Sequence, residues 1–531
     1  MKSLIIFAVS VLCSVVVPAQ QQPPAQPPNG PLELPEFLVT GKELINVGAG
    51  VKSAPQRPPL LSATRLDSLN PTEKQPIPSL PARPLPQYKR TTMVWPGYFQ
   101  AEIGNYITPN VLAGYSFVAG GYRLDLAADM QASDGWIENA EYLTTGVKLV
   151  STYVAPEKFL FFGGSTTQAD VGLRHRSYKL FALPDAPIRS HTALGLGVDV
   201  DGRFEDVRYR AQASWSHQSL STASMRDVSD NVFRGTIRAE QQWKSADVGL
   251  MMDMRLQTYA ENAYPYVEAG AYGRWVAKAL RIAGGAGVQW ATSTTGVDRF
   301  GLALGGQADV FLGPDLTVTA AVRSGMRSVT FRDLMMQNPY IDDSVSLDAA
   351  YDIVDLRGTI TFHPSVRTTI SAGVRMRQTD REPVWVRGRP GVFTVDYRTV
   401  SLVEINADAR FAITPRDIVV ADVHMTNASV AQASAQPYVP SLHASADYER
   451  QWFTQLRTGI GMVYVGQRWA DVDNTVTLSG YADLRVMASY SLSTSFDLNA
   501  RAENLLGSTV ILWEGYRERG IFVTVGCTWK F

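Results

Sequence analysis

From about Gly97 onward the chain alternates apolar and polar residues with a period of two. In "VRYRAQASWSH", Val207, Tyr209, Ala211, Ala213 and Trp215 share one face, while Arg208, Arg210, Gln212, Ser214 and Ser216 share the other. "LTVTAAVR" sets Leu316, Val318, Ala320 and Val322 against Thr317, Thr319 and Arg323. "VRTTISAGVRMRQ" sets Ile370, Ala372, Val374 and Met376 against Arg367, Thr369, Ser371, Arg375 and Arg377. "FDLNARAE" does the same with Phe496, Leu498 and Ala500 against Asp497, Asn499, Arg501 and Glu503. Successive side chains of a strand point to opposite sides, so each stretch reads as a strand with one apolar and one polar face. No helical stripe matches them.

This rhythm predicts about 22 strands, starting near residues 98, 111, 121, 141, 158, 191, 204, 229, 245, 262, 279, 298, 315, 346, 365, 393, 416, 436, 453, 473, 493 and 518. Their connections alternate between tight and long. Tight turns are expected at Gly120-Gly121, "APEK" (155–158), "DGRF" (201–204), "GPD" (313–315), "HPS" (363–365) and "TPRD" (414–417). Longer polar loops fall roughly at 170–190, 218–228, 330–345 and 379–392. Short turns at one end and long loops at the other separate a transmembrane antiparallel up-and-down β-barrel from a two-sheet sandwich. Residues 97–531 are therefore expected to form an all-β outer-membrane barrel, its apolar faces toward lipid and its polar faces toward a lumen. An even strand count puts both barrel ends on the short-turn, periplasmic side.

The first part of the chain differs. "MKSLIIFAVSVLCSVVVPAQ" has a basic start, an apolar run and a small residue before a cut after Ala19, so 1–19 reads as a secretory signal. Cys13 does not make it a lipoprotein signal, since Val11-Leu12 stands where small residues are needed. Half of the 30 prolines lie between Gln20 and Trp95. Proline removes backbone donors and favours extended conformers, so 20–96 is expected to be a disordered periplasmic arm. With the leader gone only Cys527 remains, which excludes a disulfide framework or a cysteine metal site. A formal net charge of −1 gives no basis for nucleic-acid binding.

The chain closes on "TVGCTWKF". Ile521, Val523, Val525, Cys527, Trp529 and Phe531 would face lipid, with Thr524, Gly526, Thr528 and Lys530 toward the lumen. This ending resembles the targeting signal of outer-membrane barrels, whose defined positions are filled here by Thr524, Gly526, Trp529 and Phe531. The resemblance implies recognition by the barrel-assembly machinery. The last thirty residues, with Asn504-Leu505-Leu506, Gly515-Tyr516 and Gly520, resemble the closing hairpin of TonB-dependent outer-membrane receptors, which are 22-stranded and plugged. "PEFLVTGK" (35–42) is similar to their TonB box, implying capture of Glu36, Phe37, Leu38, Val39 and Thr40 as an added strand by an energy transducer. The resemblance stops there. Between Lys42 and the first strand lie only about fifty residues, mostly proline-rich, without a recognisable plug. As a coil of about 70 residues the arm would span ~45 Å, enough to enter the lumen or to reach a periplasmic partner.

Catalytic signals are poor. His175, His191, His217, His363, His424 and His443 show no HExxH spacing, there is no G-x-S-x-G elbow, and no cofactor motif appears. The acidic run "DVDGRFED" (199–206) is explained by a tight Asp-Gly hairpin rather than a calcium site. Arg208, Arg210, Arg323, Arg375 and Arg377 form either an anion-favouring strip or, together with Asp309, Asp497, Arg501 and Glu503, an internally salt-bridged wall. "DLMMQNPYIDD" (333–343) is the most apolar long loop, suited to binding a ligand, capping the pore or packing on neighbouring loops. The expected function is solute passage or recognition at the outer membrane, the plug being absent or supplied by the arm, the loops or a partner. The alternative is a non-transporting scaffold that anchors an envelope complex through the arm.

Overall fold

The computed structural model describes residues 95–157, 162–223, 225–431 and 434–531. The leader, the proline-rich arm and the 35–42 peptide lie outside them. Twenty-two strands make the wall: β1 Gly97–Gly104, β2 Thr108–Ala119, β3 Tyr122–Ser133, β4 Tyr142–Val154, β5 Thr166–Lys179, β6 Ile188–Phe204, β7 Val207–Thr222, β8 Val228–Trp243, β9 Ala246–Tyr259, β10 Asn262–Val276 and β11 Leu280–Thr292. They continue with β12 Asp298–Phe311, β13 Leu316–Ser328, β14 Ala349–Ser365, β15 Thr368–Arg387, β16 Phe393–Thr414, β17 Asp417–Val430, β18 Leu442–Gln451, β19 Leu456–Val465, β20 Tyr481–Ser491, β21 Phe496–Glu503 and β22 Phe522–Lys530. Each pairs antiparallel with its neighbours in sequence, and β22 pairs with β1, so the sheet is a closed barrel. Closure leaves no strand edge unpaired, as a wall in lipid requires.

The apolar face of the alternation lies outside. Phe300 is 82% exposed, and Leu302, Leu304, Leu250, Ile405 and Val525 are exposed on the same surface. Large apolar side chains on the outside are unfavourable in water and favourable in hydrocarbon. The connections at 120–121, 205–206, 244–245, 277–279, 312–315, 366–367, 415–416, 452–455 and 492–495 share one end of the barrel. The other end carries the longer segments, including 134–141, 180–187, 329–348, 431–441, 466–480 and 504–521.

Several strand starts are displaced from the sequence pattern, each by local turn chemistry. β5 begins at Thr166 rather than near 158, after Gly164 at φ +70°. β18 begins at Leu442 rather than 436, after Pro437, Tyr438 (φ 62°) and Pro440. β20 begins at Tyr481 rather than 473, because Asp471 accepts from the backbone N–H groups of Thr475 and Val476 and folds a short hairpin, Arg468–Trp469 with Thr477–Leu478. The "DGRF" turn is also corrected. Asp201 and Gly202 stay in the ladder opposite Arg210 and Tyr209, and the chain reverses at Glu205-Asp206. Gly202 is needed because the Tyr209 ring lies over it, with a carbon 2.7 Å from where a Cβ would stand. "HPS" likewise belongs to β14, the turn falling at 366–367.

At the seam, Gly97 N donates to Phe531 O (2.8 Å) and Phe531 N to Gly97 O (3.0 Å). The Trp529 and Phe531 rings pack together on the outer face, centroids 4.7 Å apart. A Cβ at Gly526 would stand 2.7 Å from Glu102 Cα on β1, so only glycine lets the last strand close on the first.

Candidate functional site at the loop end

The largest buried apolar cluster is made by the long-loop end rather than by the wall. It takes in Leu220, Tyr259, Tyr264, Phe331, Leu334, Ile341, Trp385, Phe393 and Tyr516, with Phe181, Tyr340, Tyr438 and Trp513 packed against it. Its centre is the 329–348 segment. Thr330 caps a one-helix insertion, α1 (Phe331–Gln337): Thr330 Oγ1 accepts from Asp333 N (3.1 Å) and Asp333 Oδ2 accepts from Thr330 N (3.0 Å). The helix buries Phe331, Leu334 and Met335. Each such burial is worth roughly 1.5–3 kcal/mol.

Three loops meet in one aromatic junction. The Tyr340 and Tyr516 rings stack at 3.4 Å, Phe181 meets Tyr516 edge-on at 4.9 Å, and Tyr178 meets Tyr340 edge-on at 6.2 Å. The loops that carry Phe181, Tyr340 and Tyr516 follow β5, β13 and β21, so they are rooted eight, eight and six strands apart around the wall. A 22-strand wall at ~4.8 Å per strand and ~40° tilt is on the order of 40 Å across. Loops rooted near thirds of such a circle can touch only if they cross its opening.

Polar bonds fix the crossing. Arg189 on β6, with no exposed surface, donates to Thr222 Oγ1 (2.9 Å), Pro339 O (3.1 Å) and Ile341 O (2.7 Å). Tyr178 Oη donates to Pro339 O (2.5 Å), and Tyr516 Oη to Gly391 O (2.6 Å). Arg389 grips Asp342 through two 3.0 Å bonds and Asp343 through one of 2.5 Å. Burial raises the Asp343 carboxyl above its ordinary range, and its hydrogen bond to Asp342 adds to this. Burial pushes Asp342 the same way, but hydrogen bonds from Asp343, Arg389 and Ser344 outweigh it and hold Asp342 low.

The signs differ for the two acids. Asp342 stabilises the loop above the usual carboxylate range and loses that contribution as pH falls through its lowered value. Asp343 stabilises it in acid and loses that contribution as pH rises through its raised value. Amide protection across 339–345, taken relative to the exchange of unstructured chain at each pH, should therefore be greatest in mild acid and fall toward neutrality, and Asp343→Asn should flatten that fall. An unchanged protection profile in that variant would refute the contribution of the Asp343 proton.

Below the junction, the inner wall carries charge in pairs. Arg210 binds Asp199 (2.5 Å), Arg208 lies 3.8 Å from Glu240, Arg375 and Arg357 share Asp355 (2.8 and 2.7 Å), and Arg377 binds Glu382 (3.1 Å). Asp497 is bound by Lys530 (2.5 Å); Arg501 contacts Glu503 (3.3 Å), which also takes Arg519 (2.7 Å); Asp309 lies 3.8 Å from Arg281. Arg323 stands opposite Asp355 in the ladder. Such pairs, where water reaches them, each stabilise by at most about 1 kcal/mol, so their main effect is to cancel charge along the wall. In β22, Thr524 is buried inward while Val525, Trp529 and Phe531 are exposed outward.

The apolar 333–343 stretch singled out in the sequence is thus the centre of the crossing. Of its partners, Tyr516 stood out only as part of the closing hairpin, and Arg189, Tyr178 and Phe181 did not stand out at all. Aromatics clustered at and just beyond strand ends could have marked Tyr178, Phe181 and Tyr516, whereas Arg189, one arginine at the start of β6, carries no such signal.

No family model matches the sequence, and no curated protein resembles it at significance. Solved structures do. The FrpB iron transporter from Neisseria meningitidis (F5-1 variant) superposes with a TM-score of 0.68 at 9% identity, covering 83% of this chain and 83% of that one. The copper transporter OprC gives 0.64 at 11%, covering 82% and 80%. The ferric-catecholate import receptor Fiu from E. coli K12 gives 0.63 at 11%, covering 82% and 81%. These are barrels of the TonB-dependent receptor type, and this chain shares their closed 22-strand fold.

Proposed function

We propose that this chain is an outer-membrane barrel of TonB-dependent receptor type that recognises a solute at its loop end and passes it through the lumen. The observation that carries this reading is the junction of Phe181, Tyr340 and Tyr516, where three loops rooted around the whole rim meet over the opening. A contact made of separate loops can part and re-form, as a solute entry needs. In this reading the loops face the cell exterior and both ends of the barrel face the periplasm. The barrel-assembly machinery recognises Thr524, Gly526, Trp529 and Phe531, and an energy transducer captures Glu36–Thr40 as an added strand. The arm or a partner protein completes the seal from below.

An added strand needs its backbone donors, and proline removes one. Leu38→Pro is accordingly expected to abolish crosslinking of the 35–42 peptide to the transducer. Crosslinking at the parental level would end the transducer assignment. Single-channel recording of the barrel with and without residues 20–95 tests the seal: a large conductance appearing only on deletion makes the arm part of it.

The second reading is a non-transporting scaffold, favoured by the depth at which the junction is held, with Tyr516, Leu334, Ile341 and Arg189 wholly buried. No conductance in either form, even with the junction broken, would favour it.

A further inference from the structure

A cavity of about 830 Å³ lies beside α1, between the 431–441 and 504–521 loops and the ends of β13, β15 and β19. That is within the range of sites that enclose a small organic ligand. Trp385, Trp513 and Tyr438 give it aromatic walls, with Trp385 and Trp513 edge to face at 5.4 Å and Tyr438 against Trp513 at 4.4 Å. Arg468 also lines it and is only 4% exposed.

The lining carries two guanidinium groups, Arg327 and Arg468, and two carboxylates, Asp333 and Glu382, but they do not pair off evenly. Arg327 is matched by Glu382 and Asp352, and Glu382 also holds Arg377 (3.1 Å). Arg468 has no carboxylate within ion-pair distance among the described residues. Its Nη2 donates to Ile511 O, and its Cζ lies 5.9 Å from the Tyr481 ring. Its Nη1 and the Tyr438 hydroxyl are buried without a hydrogen-bond partner among the described residues. Burial alone already lowers the Arg468 guanidinium from its ordinary value. A buried, carboxylate-free guanidinium is unfavourable by itself and becomes favourable once an anion takes its free face.

We infer that this cavity binds a ring-bearing carboxylate, the ring against Trp385 and Trp513 and the carboxylate on Arg468 Nη1 and the Tyr438 hydroxyl, which turn from their buried positions to meet it. A guanidinium matches a planar carboxylate, and flat walls select a flat ring. The inference extends the receptor reading by naming a solute class. The binding measurement on isolated protein can fail while conductance and transducer contact stand, and the reverse holds too.

The test is calorimetric titration of the full-length protein in lipid nanodiscs, empty discs subtracted, with indole-3-carboxylate and its neutral carboxamide. The carboxylate is expected to bind below about 1 mM and at least tenfold more tightly than the carboxamide, the scale of one charge-assisted hydrogen bond. Arg468→Gln should erase that preference while the barrel keeps its heat-dependent gel shift. Tyr438→Phe, which removes only a hydroxyl, should weaken the carboxylate about threefold or more and serves as the test if Arg468→Gln fails to assemble. Equal affinities, no binding of either probe up to about 10 mM, or a preference that survives in whichever variant assembles would overturn the inference.

Discussion

Removing Phe531 together with Trp529→Ala is expected to lower the amount of assembled, heat-modifiable barrel in cells at least tenfold, about 1.4 kcal/mol or more. Two effects act in one direction. Phe531 supplies both backbone bonds to Gly97 at the seam, and with Trp529 it forms the outer aromatic pair. Under the proposal it also presents the last strand to the assembly machinery. Refolding the purified variant into detergent separates the two. If it refolds nearly as well as the parent but fails in cells, the loss belongs to recognition. Equal loss in both assigns it to seam stability, and parental levels in cells would refute both roles.

Arg189→Met is expected to release the 329–348 segment from the wall while leaving the barrel closed. The guanidinium makes three hydrogen bonds, two of them to the carbonyls of Pro339 and Ile341, and is wholly buried. Methionine keeps much of the volume but leaves Ile341 O without a donor and Pro339 O with only Tyr178 Oη, a destabilisation of about 1–3 kcal/mol for the orphaned buried acceptor. Limited proteolysis should cut within 331–345 at least tenfold faster, with the melting of the barrel nearly unchanged. In the transport reading the same variant should raise single-channel conductance. Parental protease resistance would show that the aromatic junction holds without its polar anchor.

The wall was legible in the sequence for a simple reason. Each strand meets lipid on one side and a polar lumen on the other, so a single binary pattern is written twenty-two times over. Errors fell where turn chemistry overrode it: at Gly164, at the 437–440 prolines and at the Asp471 turn. The junction was legible only as the apolar 333–343 stretch, not as a meeting of three loops. Phe181, Tyr340 and Tyr516 come from loops far apart in sequence, and alternation stops just where those loops begin. Arg468 was silent for another reason, since a lone arginine in a polar loop carries no mark of being buried.

The seam sets an order of events. The Tyr340–Tyr516 stack needs the hairpin ending at β22, which is made last and completes the circle by pairing with β1. Under the receptor reading, a copy whose circle closes before its loops meet is unroofed for that interval. Bacteria making this protein quickly should show a brief permeability to small dyes that tracks the synthesis rate and fades once synthesis stops.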